Sequence, residues 1–141
     1  MTERRPSGHR AVAHTADLRV EAWATTRERC IAEAVAGMVA SFAEPSGTEP
    51  HRVVEQDVRA DGDADLLAAV LDDVIYRLDT AGEIPVHTDI QAAPGRLRAR
   101  FTMIDAAAAT PVGSVPKAVS LHELRCAPGP DGWSCSVTID V

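Results

Sequence analysis

No apolar run in this 141-residue chain approaches the ~18–20 residues a membrane-crossing helix needs, so no transmembrane span is expected. The opening stretch, MTERRPSGHRAVAH, is charged but leads into no apolar segment, and does not read as a secretory signal. The expectation is a cytoplasmic protein with a disordered tail over residues 1–8 and one domain over 9–141. Basic charge is also scarce. Fourteen Lys and Arg stand against 21 Asp and Glu, a net charge of −7. A protein that grips nucleic acid by itself has the opposite balance, because phosphate contacts supply most of the affinity. Contact with RNA would need a local patch or another protein as the main binder. Aromatics, at 4%, are too few for a base-stacking platform.

Whole classes of motif are missing too. The three cysteines, Cys30, Cys126 and Cys135, form no CxxC pair. Their odd number suits a reducing compartment and three buried thiols. A Cys126–Cys135 bridge is the alternative, if the two lie opposite one another. There is no HExxH and no Cys–His cluster, which argues against zinc. GxxxxGK[ST], a helix-opening GxGxxG and GxSxG are absent as well.

What is present is regular. Over 26–42, Ile31, Val35, Met38, Val39 and Phe42 recur at helical spacing, and Thr25 with Glu28 fits a capping box. Over 64–80, Leu67, Val70, Leu71, Val74 and Leu78 form one apolar stripe, with Asp63 as expected N-cap and Gly82 as stop. Strands are expected near 18–24 and 51–60, and in two hairpins. One joins 86–93 to 96–104 through Pro94-Gly95, the other 117–127 to 133–141 through PGPDG. Two helices cannot cover both faces of so many strands. The fold class expected is α+β: one domain, a mainly antiparallel sheet, and both helices packed on one side.

Four segments stand out for chemistry. His14-Thr15-Ala16-Asp17 puts a carboxylate at the mouth of a core strand, where Asp is depleted. Lys117 through His122 carries a cation, a hydroxyl at Ser120 and an imidazole. In the last strand, Ser134, Ser136, Thr138 and Asp140 point away from Cys135, Val137, Ile139 and Val141. Asp140, the terminal oxygens of Val141 and a second Asp from elsewhere would make a hard-oxygen cluster. Such a cluster repels itself unless a cation sits between the oxygens. Taken alone, this segment is also readable as an exposed acid at a frayed end, and His14 and His122 as hydrogen-bonded structural residues. Arg96, Arg98 and Arg100 share one strand face, either a solvated outer surface or a basic stripe for an acidic partner.

Together these segments resemble the archease family. HTADLRVEAWA at 14–24 is similar to its opening strand. DADLLAAVLDDVIYRLD at 63–79 is similar to its second helix. KAVSLHEL at 117–124 with GWSCSVTIDV at the end is similar to its KAVTYH strand and Asp-aliphatic terminus. Differences are Ala13 where relatives often carry Asp, Ser120 and Leu121 in place of Thr and Tyr, and Asp72-Asp73 where relatives often have Asn-Glu.

The resemblance implies a small α+β protein that activates an RtcB-type RNA ligase in tRNA splicing and RNA repair. It would promote ligase guanylylation and turnover without being an enzyme, and touch RNA only indirectly. It also implies a divalent cation, calcium, held by Asp17, Asp140 and a main-chain oxygen of Val141. His14, Asp65, Lys117, Ser120 and His122 would lie around that cation or against the partner. Two other readings remain open. One is a stand-alone metal-dependent phosphoester enzyme with His14 or His122 as acid or base. The other is a chaperone-like module for other RNA-processing proteins.

Overall fold

The computed structural model describes residues 7–13, 17–45 and 47–141. Of the tail expected over 1–8, residues 1–6 lie outside this range, and Gly8 already pairs with Trp23 in the first strand. The elements in order are β1 (Gly8–Ala13), β2 (Asp17–Ala24), α1 (Arg27–Ala40), β3 (Ala43–Glu44), β4 (Arg52–Val58), α2 (Asp63–Ala81), β5 (Glu83–Ala93), β6 (Arg96–Asp105), β7 (Thr110–Pro111), β8 (Ala118–Gly129) and β9 (Gly132–Asp140). A 3-10 turn at Ala106–Ala108 separates β6 from β7.

All strand pairs are antiparallel. The fold is therefore the expected α+β class with two helices. Its strands divide into a four-stranded sheet ordered β1-β2-β9-β8, a three-stranded sheet ordered β4-β6-β5, and a short β3–β7 ladder. The β5–β6 and β8–β9 hairpins form at the two turns expected.

Both helices cover the apolar faces. α1 packs on β1, β2, β5 and β9, α2 on β4, β5 and β8, and the helices touch each other. Val20 and Ile139 from the larger sheet, Phe101 and Leu97 from the smaller one, and Ile31, Met38, Leu67 and Leu71 from the helices are fully buried together. The period-2 alternation of β2, β6 and β9 is what aims one row of each inward.

Helix ends differ by a residue or two from the sequence reading. Thr26, not Thr25, caps α1, and its Oγ1 accepts from the Arg29 N–H at 3.1 Å. Glu28 then stands one place too early to close a capping box, and binds the Arg27 guanidinium at 2.8 Å instead. Gly62, not Asp63, caps α2. Asp63 sits inside the first turn, complements the macrodipole and accepts from Arg27 at 2.8 Å. Gly82 ends α2 as expected, in the left-handed region at φ 65°, with its N–H on the Leu78 carbonyl. Gly132 opens β9 at φ 123°, where a Cβ would stand 2.5 Å from the Ala24 carbonyl oxygen.

Candidate metal centre

The register between β2 and β9 sets Asp17 directly opposite Asp140, with Leu18 opposite Ile139 one step further in. Residues directly opposed in an antiparallel pair share a face. Burying Leu18 and Ile139 against the helices therefore turns both carboxylates to the outer face. Neither carboxylate has an ion pair or hydrogen bond among the described residues. The nearest cation along β2, Arg19, is committed to Ser136 Oγ at 3.1 Å and to Glu21 at 3.6 Å. Two unpaired carboxylates facing each other are a like-charge pair, unfavourable unless a cation neutralises them.

The donor set fits a hard cation. Two carboxylates and the main-chain oxygen of Val141 offer oxygen only, the ligand type calcium and magnesium take, with water completing the shell. Among the described residues no three His, Cys, Asp or Glu side chains converge on one point. The oxygens beyond Asp17 and Asp140 would thus come from backbone and water. His14 lies outside the described residues.

The other candidates distribute unevenly around this pair. The Lys117 N–H donates to the Asp140 carbonyl at 2.7 Å, and Ala118 pairs with Asp140. The Lys117 side chain lines a cleft with Asp72, Tyr76 and Asp79 of α2. It is the only lysine in the chain. Ser120 pairs with Thr138, one step along the outer face from Asp140, and its hydroxyl accepts the His122 N–H at 3.2 Å. His122 stands in a bulge where residues 121–124 oppose Val137 alone. Its side chain is 85% exposed, with Glu123 at 3.7 Å. Asp65 is in the first turn of α2, seven residues before the part of the helix that meets Lys117, about 10 Å along the axis. The fold brings Asp17, Asp140, Lys117 and Ser120 to one end and does not bring Asp65 there.

The Arg stripe is charge-balanced. Arg100 stands between Glu55 and Asp89, and Arg98 between Asp57 and Gln91. The Nε atoms of Arg96 and Arg98 each lie 3.3 Å from an Asp57 oxygen. Three arginines thus meet three acids, and this face offers no basic track for a phosphate backbone.

The model of the Archease protein family (MTH1598/TM1083) matches residues 9–141. Two curated relatives from Mycobacterium tuberculosis, strains CDC 1551 / Oshkosh and ATCC 25618 / H37Rv, are each named "Probable protein archease". Each is 50% identical over 135 residues, covering 96% of this chain and 75% of its own length. The chain belongs to the archease family. Solved archease-fold structures agree. Methanobacterium thermoautotrophicum protein 1598 superposes with a TM-score of 0.73 at 17% identity, over 95% of this chain and 99% of its own. An archease from Thermotoga maritima, described as a possible chaperone, gives 0.67 at 20% identity, over 100% and 99%. No described helix of this archease-family chain is long and apolar enough to cross a membrane.

A second charged cluster escaped the sequence reading. Glu83 is buried, and the Arg52 guanidinium grips both its oxygens, with Nε at 3.0 and 2.8 Å. The His51 imidazole bonds it as well. Arg52 first, then His51, hold the Glu83 carboxyl down at about 2 against the cost of burial. Glu83 follows the Gly82 cap, so it ties the start of β5 to the start of β4 across the end of β6. The sequence offers no signal for a pair 31 and 32 residues apart.

Proposed function

We propose that this chain is a non-catalytic activator of an RtcB-type RNA ligase, acting in tRNA splicing and RNA repair by promoting ligase guanylylation and repeated turnover. A divalent cation, calcium, sits between Asp17, Asp140 and the Val141 main-chain oxygen. The observation that carries the reading is the facing, unpaired Asp17–Asp140 pair, in a member of the archease family. The acidic net charge supports the view that RNA is met through the ligase rather than directly. The charge-balanced Arg96, Arg98 and Arg100 face supports it further.

The non-enzymatic reading draws support from the histidines. Among the described residues, His9 is bonded to Glu33, His51 to Glu83, and His87 and His122 are exposed. None of the four is hydrogen-bonded through its ring to a hydroxyl or thiol, the arrangement nucleophilic catalysis uses. The description of the Thermotoga relative as a possible chaperone agrees with action on a protein partner.

The test is a guanylylation and joining assay with an RtcB-type ligase, GTP and Mn²⁺. Sub-stoichiometric parent protein accelerates ligase guanylylation and converts single-turnover joining into multiple turnover, and Asp17→Asn and Asp140→Asn lose that effect. Unchanged guanylylation and joining on adding the parent protein contradict the proposal. Phosphoester hydrolysis by the protein alone, abolished by Asp17→Ala, would favour an enzyme.

A further inference from the structure

Next to the carboxylate pair, α2 and the segment before β8 enclose a cleft lined by Asp72, Ile75, Tyr76, Asp79, Val115 and Lys117. Its rim is apolar where solvent would favour polar side chains: Tyr76 is 64% exposed and Val115 54%. A large exposed aromatic beside an exposed aliphatic is the composition of an interface centre rather than of ordinary surface.

The charges inside the cleft say what covers it. The carboxylates of Asp72 and Asp79 have no ion pair or hydrogen bond among the described residues, and the Lys117 side chain makes none either. Asp79 lies near the C-terminus of α2, whose last turn carries no basic residue. The macrodipole there favours a cation and disfavours an acid. Asp72 is exposed at its edge, yet protein packed around its carboxyl, with no cation in contact, raises its pKa above the ordinary carboxylate value. Two local electrostatic penalties therefore converge on one apolar cleft, and a cation entering from outside relieves both. Arg77, on the same helix, is occupied by Asp73 at 2.9 Å and Gln56 at 3.1 Å and cannot serve.

We infer that this cleft is the docking surface for a segment of the partner protein that carries a Lys or Arg beside a large apolar side chain. The apolar group packs on Tyr76 and Val115 while the cation meets Asp72 and Asp79. The inference rests on the proposed function for the identity of that partner, an RtcB-type ligase. The Lys117–Asp140 backbone bond sets the cleft and the Asp17–Asp140 pair at the same end of the four-stranded sheet, the cleft on its helix side and the pair on its outer face.

The probe is an RtcB-type ligase, and the readout is the concentration of this protein that half-maximally stimulates guanylylation, alongside the melting temperature. Tyr76→Ala and the double variant Asp72→Asn/Asp79→Asn each raise that concentration at least tenfold. Arg29→Ala, on α1, where it pairs with Glu33, leaves it within twofold. The double variant melts no lower than the parent, because the two acids gain nothing from the protein alone. Parent-like half-maximal concentrations in both cleft variants, with an active parent, place docking elsewhere and overturn the inference alone. A parent without any stimulation overturns the functional reading, and this assignment with it. A dimeric parent made monomeric by Tyr76→Ala would identify a second copy as the occupant, which also overturns it.

Discussion

Asp17 and Asp140 face each other across the β2–β9 pair, on the side of the sheet turned away from the helices, with no cation among the described residues in contact with either carboxylate. The repulsion predicts a crossover. In EDTA, Asp17→Asn should be more stable than the parent by about 0.2–1 kcal/mol, the size of a like-charge cross-strand penalty. In calcium at a hundred times its dissociation constant the parent should gain about 2.7 kcal/mol. The variant should not, so the order reverses. Paired thermal melts in EDTA and calcium check this; parallel shifts in the two proteins contradict it.

Acid should loosen the junction of β4 and β5. The Glu83 carboxyl titrates near 2 in the folded protein against an ordinary 4.5. A depressed acid contributes stability in full above its unfolded value and loses it as pH falls through the folded one. The advantage of the parent over Glu83→Gln should therefore be constant above about pH 5 and shrink between pH 4.5 and 2. Denaturant titrations at stepped pH measure the difference; a gap that does not change with pH argues against the Arg52–Glu83 contact.

The three thiols should be unreactive until the chain unfolds. Cys30, Cys126 and Cys135 are free and buried; Cys126 faces Cys135 across β8–β9, and Cys30 Sγ lies 3.6 Å from Cys135 Sγ. Burial pushes the Cys126 thiol up to about 12, and contact with Cys30 together with burial raises Cys135 further; that contact lowers Cys30, which is shielded by being fully buried. Alkylation with iodoacetamide at pH 8 should modify none of the three in native protein within the time that modifies all three in guanidinium. Mass spectrometry counts the adducts, and rapid native labelling of Cys126 or Cys135 would contradict their burial.

Gly132→Ala should destabilise the β8–β9 hairpin by about 1–3 kcal/mol, the cost of a side chain in a backbone region such residues avoid. The new Cβ meets the Ala24 carbonyl, which is backbone and cannot swing away. Urea unfolding reads the loss. A neutral effect would mean that the turn rearranges without disturbing β2.

The helices, both hairpins and the inward rows of β2, β6 and β9 were legible because periodicity is local. What the sequence could not carry was pairing between distant strands. Alternation put Asp17 and Asp140 on outer faces, but only the archease resemblance made them neighbours. The Arg96, Arg98 and Arg100 stripe reads as basic until the register supplies Glu55, Asp57 and Asp89 beside it. Leu-His-Glu-Leu at 121–124 breaks the alternation of β8, but the positive φ of Glu123, at 57°, has no glycine to announce it. Thr25 and Thr26 are equivalent as caps by composition, and one residue of helical phase decides between them.

The central claim is a shared cation, and calorimetric titration of calcium into metal-free protein tests it most directly. A single site is expected in the parent, with affinity at least tenfold weaker in Asp17→Asn and in Asp140→Asn and unchanged in Asp65→Asn. Superimposable isotherms for the parent and both carboxylate variants would contradict it.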